Sequence, residues 1–206
     1  MMLIEAYPKT VRLKDGSSVV IRPLVRDDFD QLLTFFRSLP EEDRIFLRHD
    51  VSDPEVVRKW TEEHDLQRVV PLVAFDGDEL VASGSLHIMP HECMQHVGHV
   101  RLVTARSHRS KGLGGRITRE LVALAEERDL EKLQAHVIKD NLGAVKMFET
   151  LGFKTEAVLK GMIKDRTWRT RDLAIMVNDV ANLTQIMEAW IQESMLPSHR
   201  VPGDGA

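Results

Sequence analysis

The chain has 206 residues, a length that suits one domain with an accessory tail. Apolar residues make up 43% of it and charged residues 29%, enough of the former for a packed core. The net charge of −4, from 28 basic and 32 acidic side chains, leaves no cationic excess for nucleic acid, and no run of about 18 apolar residues offers a membrane span.

The N-terminal stretch MMLIEAYPKTVRLKDG lacks the long apolar segment of a secretory leader. Next, VRLK and SVVIRPL flank Asp15-Gly16, a turn signal between two β-type runs. Asp27 and Asp28 open an amphipathic helix with Phe29, Leu32, Leu33 and Phe36 on one stripe, closed before Pro40. EEDRIFLRH reads as a short helical piece, and Pro54 stands where a helix favours its first residue, ahead of EVVRKWTEEH.

From Val69 the period shortens. VVPLVAF and LVASGSLHIM form a hairpin around Asp76-Gly77-Asp78, and QHVGHVRLVTA is a third strand. Its lone cysteine, Cys93, makes no internal disulfide and fits a reducing, cytoplasmic setting. HIMPHECMQHVGH is rich in His, but HECMQH is one residue too long for the zinc-protease motif and no C-x-x-C accompanies it, so no metal is expected.

Residues 112–128 restore the helical period through Ile117, Leu121, Leu124 and Ala125, and KLQAHVIK is strand-like. Asn141 caps a short helix that Gly152 ends, and FKTEAVLKGMIK with WRTRDLAIMV closes the sheet as a hairpin. A last helix carries Leu183, Ile186, Met187, Trp190 and Ile191 on one side, suited to docking on the sheet or on a second subunit, which leaves a homodimer open. The tail LPSHRVPGDGA is expected to be disordered. The element order implies one mixed α/β (α+β) domain with a mostly antiparallel sheet, residues 1–180, followed by the helix and tail at 181–206.

The chemistry concentrates in RSKGLGGR, Arg109 to Arg116. A strand entering a glycine loop and then a helix leaves outward N–H groups at the positive end of the helix dipole, a site for phosphate. No Lys-Ser/Thr follows the glycines as a P-loop needs, and their spacing is not that of the dinucleotide fingerprint.

Arg109-x-x-Gly112-x-Gly114 resembles the Arg/Gln-x-x-Gly-x-Gly/Ala signature of the GNAT superfamily of acyl-CoA-dependent N-acyltransferases. Asn141 to Phe153, NLGAVKMFETLGF, resembles that family's second motif. The opening VRLKDGSSVVIRPLVRDDFDQLLTFFRSLPEEDRIFLR looks most like the acetyltransferase domain of bacterial protein lysine acetyltransferases.

The resemblance implies a sheet splayed at an acyl-CoA cleft and flanked by helices. It implies that acetyl-CoA is a co-substrate, its pyrophosphate cradled by Arg109, Ser110, Lys111, Gly112, Leu113, Gly114 and Gly115. Leu102, Val103 and Thr104 would pair with the pantetheine arm, Val103 N–H would polarise the thioester carbonyl, and Asn141 would contact the pantetheine.

An amine must lose a proton to attack, and the two positions where the family commonly carries a glutamate for that work fall on His99 and His136. Histidine can serve, being largely neutral at pH 7. His99 is the leading base, His136 the second, and Glu92 the reserve carboxylate. The family's acid tyrosine falls on Phe148, which cannot donate, and the chain's only tyrosine is Tyr7. The implied reaction is acetyl transfer to a primary amine, a protein lysine or a small amine. The rival is an acyl-CoA-binding sensor without turnover.

Overall fold

The computed structural model describes residues 6–44, 47, 49–63, 65–165 and 168–195. The tail from residue 196 onward lies outside them, as do the side chains of Met187, Trp190 and Ile191.

Strands β1 (Lys9–Arg12) and β2 (Ser18–Pro23) pair antiparallel. Between them Gly16 takes a φ of +87°, and Asp15 Oδ1 accepts from Ser17 Oγ at 2.6 Å. Helix α1 (Phe29–Ser38) follows a 3-10 turn at Arg26–Asp28. Asp28 does not cap it. Its carboxylate is forked by Arg22 of β2 at 2.6 and 2.7 Å, so it ties sheet to helix. The stripe of α1 buries Leu32, Phe35 and Phe36. Of the EEDRIFLRH piece, α2 covers Glu41–Arg44. Helix α3 (Pro54–Glu62) starts at its proline, with Asp53 Oδ1 capping the Glu55 N–H at 2.9 Å.

The rest of the sheet is β3 (Val69–Asp76), β4 (Glu79–Ile88), β5 (Val97–Thr104), β6 (Lys132–Ile138), β7 (Lys154–Lys164) and β8 (Thr170–Asp179). Helix α4 (Leu113–Glu127) links β5 to β6, α5 (Leu142–Thr150) links β6 to β7, and α6 (Val180–Met195) follows β8. The order across the eight strands is β1-β2-β3-β4-β5-β6-β8-β7, antiparallel at every pair except β5–β6.

A crossover through α4 is what permits that one parallel pair. Strand alternation then divides the core in two. One face buries Val100, Leu133, Ala135 and Val137 against Ile117, Leu121 and Leu124 of α4, with Phe148 and Leu183 in the same cluster. The other face packs Val73 and Phe75 against Leu32, Phe35 and Phe36 of α1 and Val57 of α3, with Val103 and Ala105 at its margin.

Candidate active site

β5 and β6 pair at four positions, from Val97–Lys132 to Val100–Ala135. Past that point β5 stays with β4 as far as Thr104–Ala82, and β6 stays with β8 as far as Ile138–Leu173. The two central strands therefore part after Val100 and Ala135, and the sheet opens into a fork, as the resemblance implies.

The fork leaves particular backbone groups facing it. Ala105 N–H donates to Val81 O at 2.8 Å and Met89 N–H to Val97 O at 3.2 Å, so the odd-numbered residues of β5 bond toward β4. His96 O accepts from Lys132 N–H at 3.1 Å on the opposite edge. By alternation, the backbone of Leu102 and Thr104 faces the open fork, and that of Val103 faces β4. This corrects the role expected of Val103: its N–H belongs to the β4 ladder and is not presented to a ligand.

Side chains alternate in the same way, but across the faces. His99 stands beside Gln134 in the parallel register, and strand partners share a face, so His99, Gln134 and His136 look the same way. The rings of His99 and His136 lie 4.4 Å apart between centroids, tilted by 65°. His99 is buried at 6% exposure, behind an exposed His136. Gln134 Nε2 reaches His136 Nε2 at 2.7 Å. His87, the β4 partner of His99, extends the row, with its Nε2 2.9 Å from Ser85 Oγ. Glu92 is exposed in the turn before β5, at the closed end of the fork. Among the described residues no group of three or more His, Cys, Asp or Glu is placed to hold a metal ion.

The glycine loop lies at the open end. Gly112 precedes α4 with a φ of +88°, a left-handed conformation that costs glycine least. Arg116 N–H makes the first helical bond, to Gly112 O at 3.1 Å, which leaves Leu113, Gly114 and Gly115 N–H ahead of the ladder. Arg109 N–H bonds to Arg106 O at 3.3 Å, so the cradle of free amides begins after it.

The glycines serve different ends. A Cβ on Gly114 would stand 2.8 Å from Met147 Sδ and 3.2 Å from Leu102 Cδ2, so this glycine lets α4 press onto α5 and β5. A Cβ on Gly115 would meet nothing within 4 Å. A bare, open helix N-terminus fits a diphosphate.

Cations surround it, two of them tethered. Lys111 Nζ pairs with Asp15 at 2.9 Å, and the Ser17 hydroxyl and then Lys111 hold the Asp15 carboxyl well below the usual carboxylate range. Arg109 pairs with Asp43 of α2, and its Nε donates to Thr104 O at 3.3 Å. Lys14 lays its stem along Gly112, and its N–H donates to Lys111 O at 3.0 Å. The sequence gives no hint of Lys14, because the contact depends on the first hairpin folding over the loop.

His108, also unmarked in sequence, is buried and anchors the turn before the loop, its Nε2 3.1 Å from Asp76 Oδ2. Asn141 caps α5, its Oδ1 accepting from Ala144 N–H at 3.1 Å, so only its Nδ2 half is left for a ligand. Phe148 is a core residue, edge-on to Phe153 at 5.1 Å. Tyr7 bonds Glu120 Oε2 at 2.8 Å on α4; burial and then Glu120 push its hydroxyl pKa well up, and it takes no part at the fork.

Residues 32–153 match the model of the Acetyltransferase (GNAT) family. The chain belongs to the GNAT acetyltransferase family. Solved structures share the GNAT fold. The GNAT domain of S. lividans PAT superposes with a TM-score of 0.68 at 21% identity, over 83% of this chain and 96% of that one. Ribosomal-protein-alanine N-acetyltransferase from Brucella melitensis gives 0.69 at 24%, over 77% and 98%. The yncA protein of Salmonella typhimurium, solved with its cofactor acetyl-CoA, gives 0.68 at 17%, over 79% and 94%.

Among curated proteins, the uncharacterized N-acetyltransferase YobR of Bacillus subtilis is 30% identical over 95 residues, 44% of this chain. The match spans 37% of YobR's length. Acetyl-CoA is the co-substrate of GNAT acetyltransferases, and the open N-terminus at Gly115 with its ring of cations suits that molecule's diphosphate.

Proposed function

We propose that this GNAT protein transfers an acetyl group from acetyl-CoA to a primary amine, with a protein lysine side chain as acceptor, by direct attack in a ternary complex. The observation that carries the reading is the fork itself. Two unladdered stretches of strand backbone, a bare helix N-terminus following β5 and a pair of histidines where the strands part support a cleft for acyl-CoA and amine.

Acetyl-CoA supplies the acetyl group already activated as a thioester. Ser110 to Gly115 and the cations of Arg109, Lys111 and Lys14 hold its phosphates. Leu102 and Thr104 offer their backbone to the pantetheine arm, Asn141 Nδ2 adds a donor, and Leu102 N–H polarises the carbonyl. A lysine amine, with a pKa of about 10.4, arrives protonated and must be stripped. His136 meets it at the cleft surface and takes the proton, with His99 behind as the second member of the pair. The new C–N bond forms as the C–S bond breaks, and the thiolate takes a proton from water, since Phe148 has none to give.

A free, exposed Cys93 supports a reducing, cytoplasmic setting. The ribosomal-protein acceptor named for the Brucella neighbour supports a protein substrate here. The test is release of free thiol from acetyl-CoA across a panel of lysine peptides, protein N-termini and small amines. Turnover with lysine peptides supports the reading, and turnover only with small amines moves the acceptor class. Binding of acetyl-CoA with no thiol released by any amine would make the protein a sensor.

A further inference from the structure

We infer that Gln134 is a positioning residue that governs the protonation of His136, an inference resting on the reading of the histidine pair as the base. Gln134 stands in the last paired stretch of the fork, opposite His99, and His136 lies just past its end. The ladder therefore fixes the backbone of Gln134, while the neighbouring histidine protrudes into the cleft. The amide nitrogen of Gln134 lies 2.7 Å from His136 Nε2.

A carboxamide serves both states of such a ring. Its N–H donates to the bare nitrogen of a neutral imidazole. After a half-turn about its soft terminal torsion, its oxygen accepts from Nε2–H, in the other neutral tautomer and in the imidazolium alike, which leaves Nδ1 as the lone pair that takes the amine's proton. Gln134 thus holds the ring through a full cycle of taking and releasing a proton without favouring the charged form, as a carboxylate would.

Other groups surround the pair. On β5 the same face carries His99, in ring contact, and Arg101 two residues on. Across β4 it carries His87. On β8 the partners of His136 and Gln134 are Ile175 and Val177, and Ala157 of β7 stands opposite Ile175. The charged groups on that face of β8 are Asp179, paired with Lys132 of β6 at 2.5 Å, and Arg171, paired with Asp140 at 3.1 Å and Asp165 at 3.5 Å, while Lys154 of β7 stands opposite Val177. Gln134 is neutral, lies within hydrogen-bond distance of His136, and both donates and accepts.

The experiment compares Gln134→Glu, Gln134→Met and His136→Ala with the parent. It records kcat against pH with acetyl-CoA and an N-blocked lysine peptide, and titrates the His136 Hε1 resonance by NMR in the free protein. In Gln134→Glu, a fixed negative charge beside the ring favours the imidazolium, so the rising limb and the resonance midpoint both move up by about one pH unit. In Gln134→Met, kcat falls at every pH while KM for acetyl-CoA holds. A limb and midpoint unmoved in Gln134→Glu overturn the inference. A limb that survives unchanged in His136→Ala overturns instead the base assignment beneath it, and the NMR midpoint still decides whether Gln134 governs the ring.

Discussion

His99 and His136 stand ring to ring, 4.4 Å between centroids, one buried and the other open to the cleft. Two imidazoles this close do not both carry a proton cheaply, because like charges at that distance repel. Exposure also orders their roles. On the reading proposed above, the amine meets the exposed His136 first and His99 acts through it, whereas strand position alone ranks His99 first.

His136→Ala is expected to lower kcat about 10²- to 10⁴-fold, the usual range for a lost general base, with the affinity for acetyl-CoA unchanged. His99→Ala costs less, since on the proposed reading His99 acts through His136. Activity must rise with pH in the parent, because the base works only when neutral. Steady-state rates from pH 5.5 to 9 check both variants, and parent-like rates in His136→Ala would remove it from the chemistry.

The sequence located the fork's parts but not their orientation. The glycine loop, the Asn141 cap and the Pro54 start are local signals, read from residues within a few positions of one another, and the structure has each of them. That Val103 bonds to β4 and Leu102 faces the cleft depends on which edge of β5 each N–H meets, a matter of ladder phase that parity arguments about side chains do not reach. Lys14 and Asp43 meet the loop across 97 and 66 residues of chain, and nothing in their own neighbourhoods marks them. Asp28, read as a helix opener, does accept from Val25 N–H at 2.9 Å at the start of the 3-10 turn, and it also takes the forked guanidinium of Arg22, which no local signal marks.

The glycines give a sharper test than their shared motif suggests. Gly114→Val drives a side chain into Met147 and Leu102 and is expected to lower the stability of the free protein by about 1–3 kcal/mol. Gly115→Val meets open space, so the free protein melts near the parent. Acetyl-CoA at a hundred times its Kd stabilises the parent by about 2.7 kcal/mol, and Gly115→Val should lose that gain. Melts with and without acetyl-CoA separate the two effects. A full ligand shift in Gly115→Val would place the diphosphate elsewhere.

The Arg109–Asp43 pair sets acetyl-CoA against a side chain of the protein itself. A diphosphate at the loop must draw Arg109 from Asp43, and the lost pair subtracts from the affinity. Asp43→Asn removes the competitor, and at the strength of a part-exposed ion pair it should tighten acetyl-CoA binding about two- to fivefold. Calorimetric titration reads this directly. Weaker binding in Asp43→Asn would mean that the carboxylate instead holds Arg109 in place for the ligand.

The last helix should matter to stability and not to chemistry. Leu183 of α6 is 1% exposed in the core cluster with Leu151 and Phe153, and Ile186 covers Gly152, where an added Cβ would lie 2.5 Å from Ile186 Cδ1. Asn178 bonds the carbonyl of that same glycine, so the first turns of α6 close a corner made by the end of α5 and by β8. Leu183→Ala removes four buried carbons' worth of packing less one methyl and should cost about 2–5 kcal/mol, a large share of a domain's usual 5–15. Glu188→Ala, exposed on the same helix, should stay within about 0.5 kcal/mol. This core lies on the α4 side of the sheet, whereas His99 and His136 look to the other side. Leu183→Ala should therefore keep its kcat at any temperature where it remains folded. Urea melts alongside rates at low temperature make the comparison, and a fall in kcat without unfolding would show that α6 reaches the fork through the sheet.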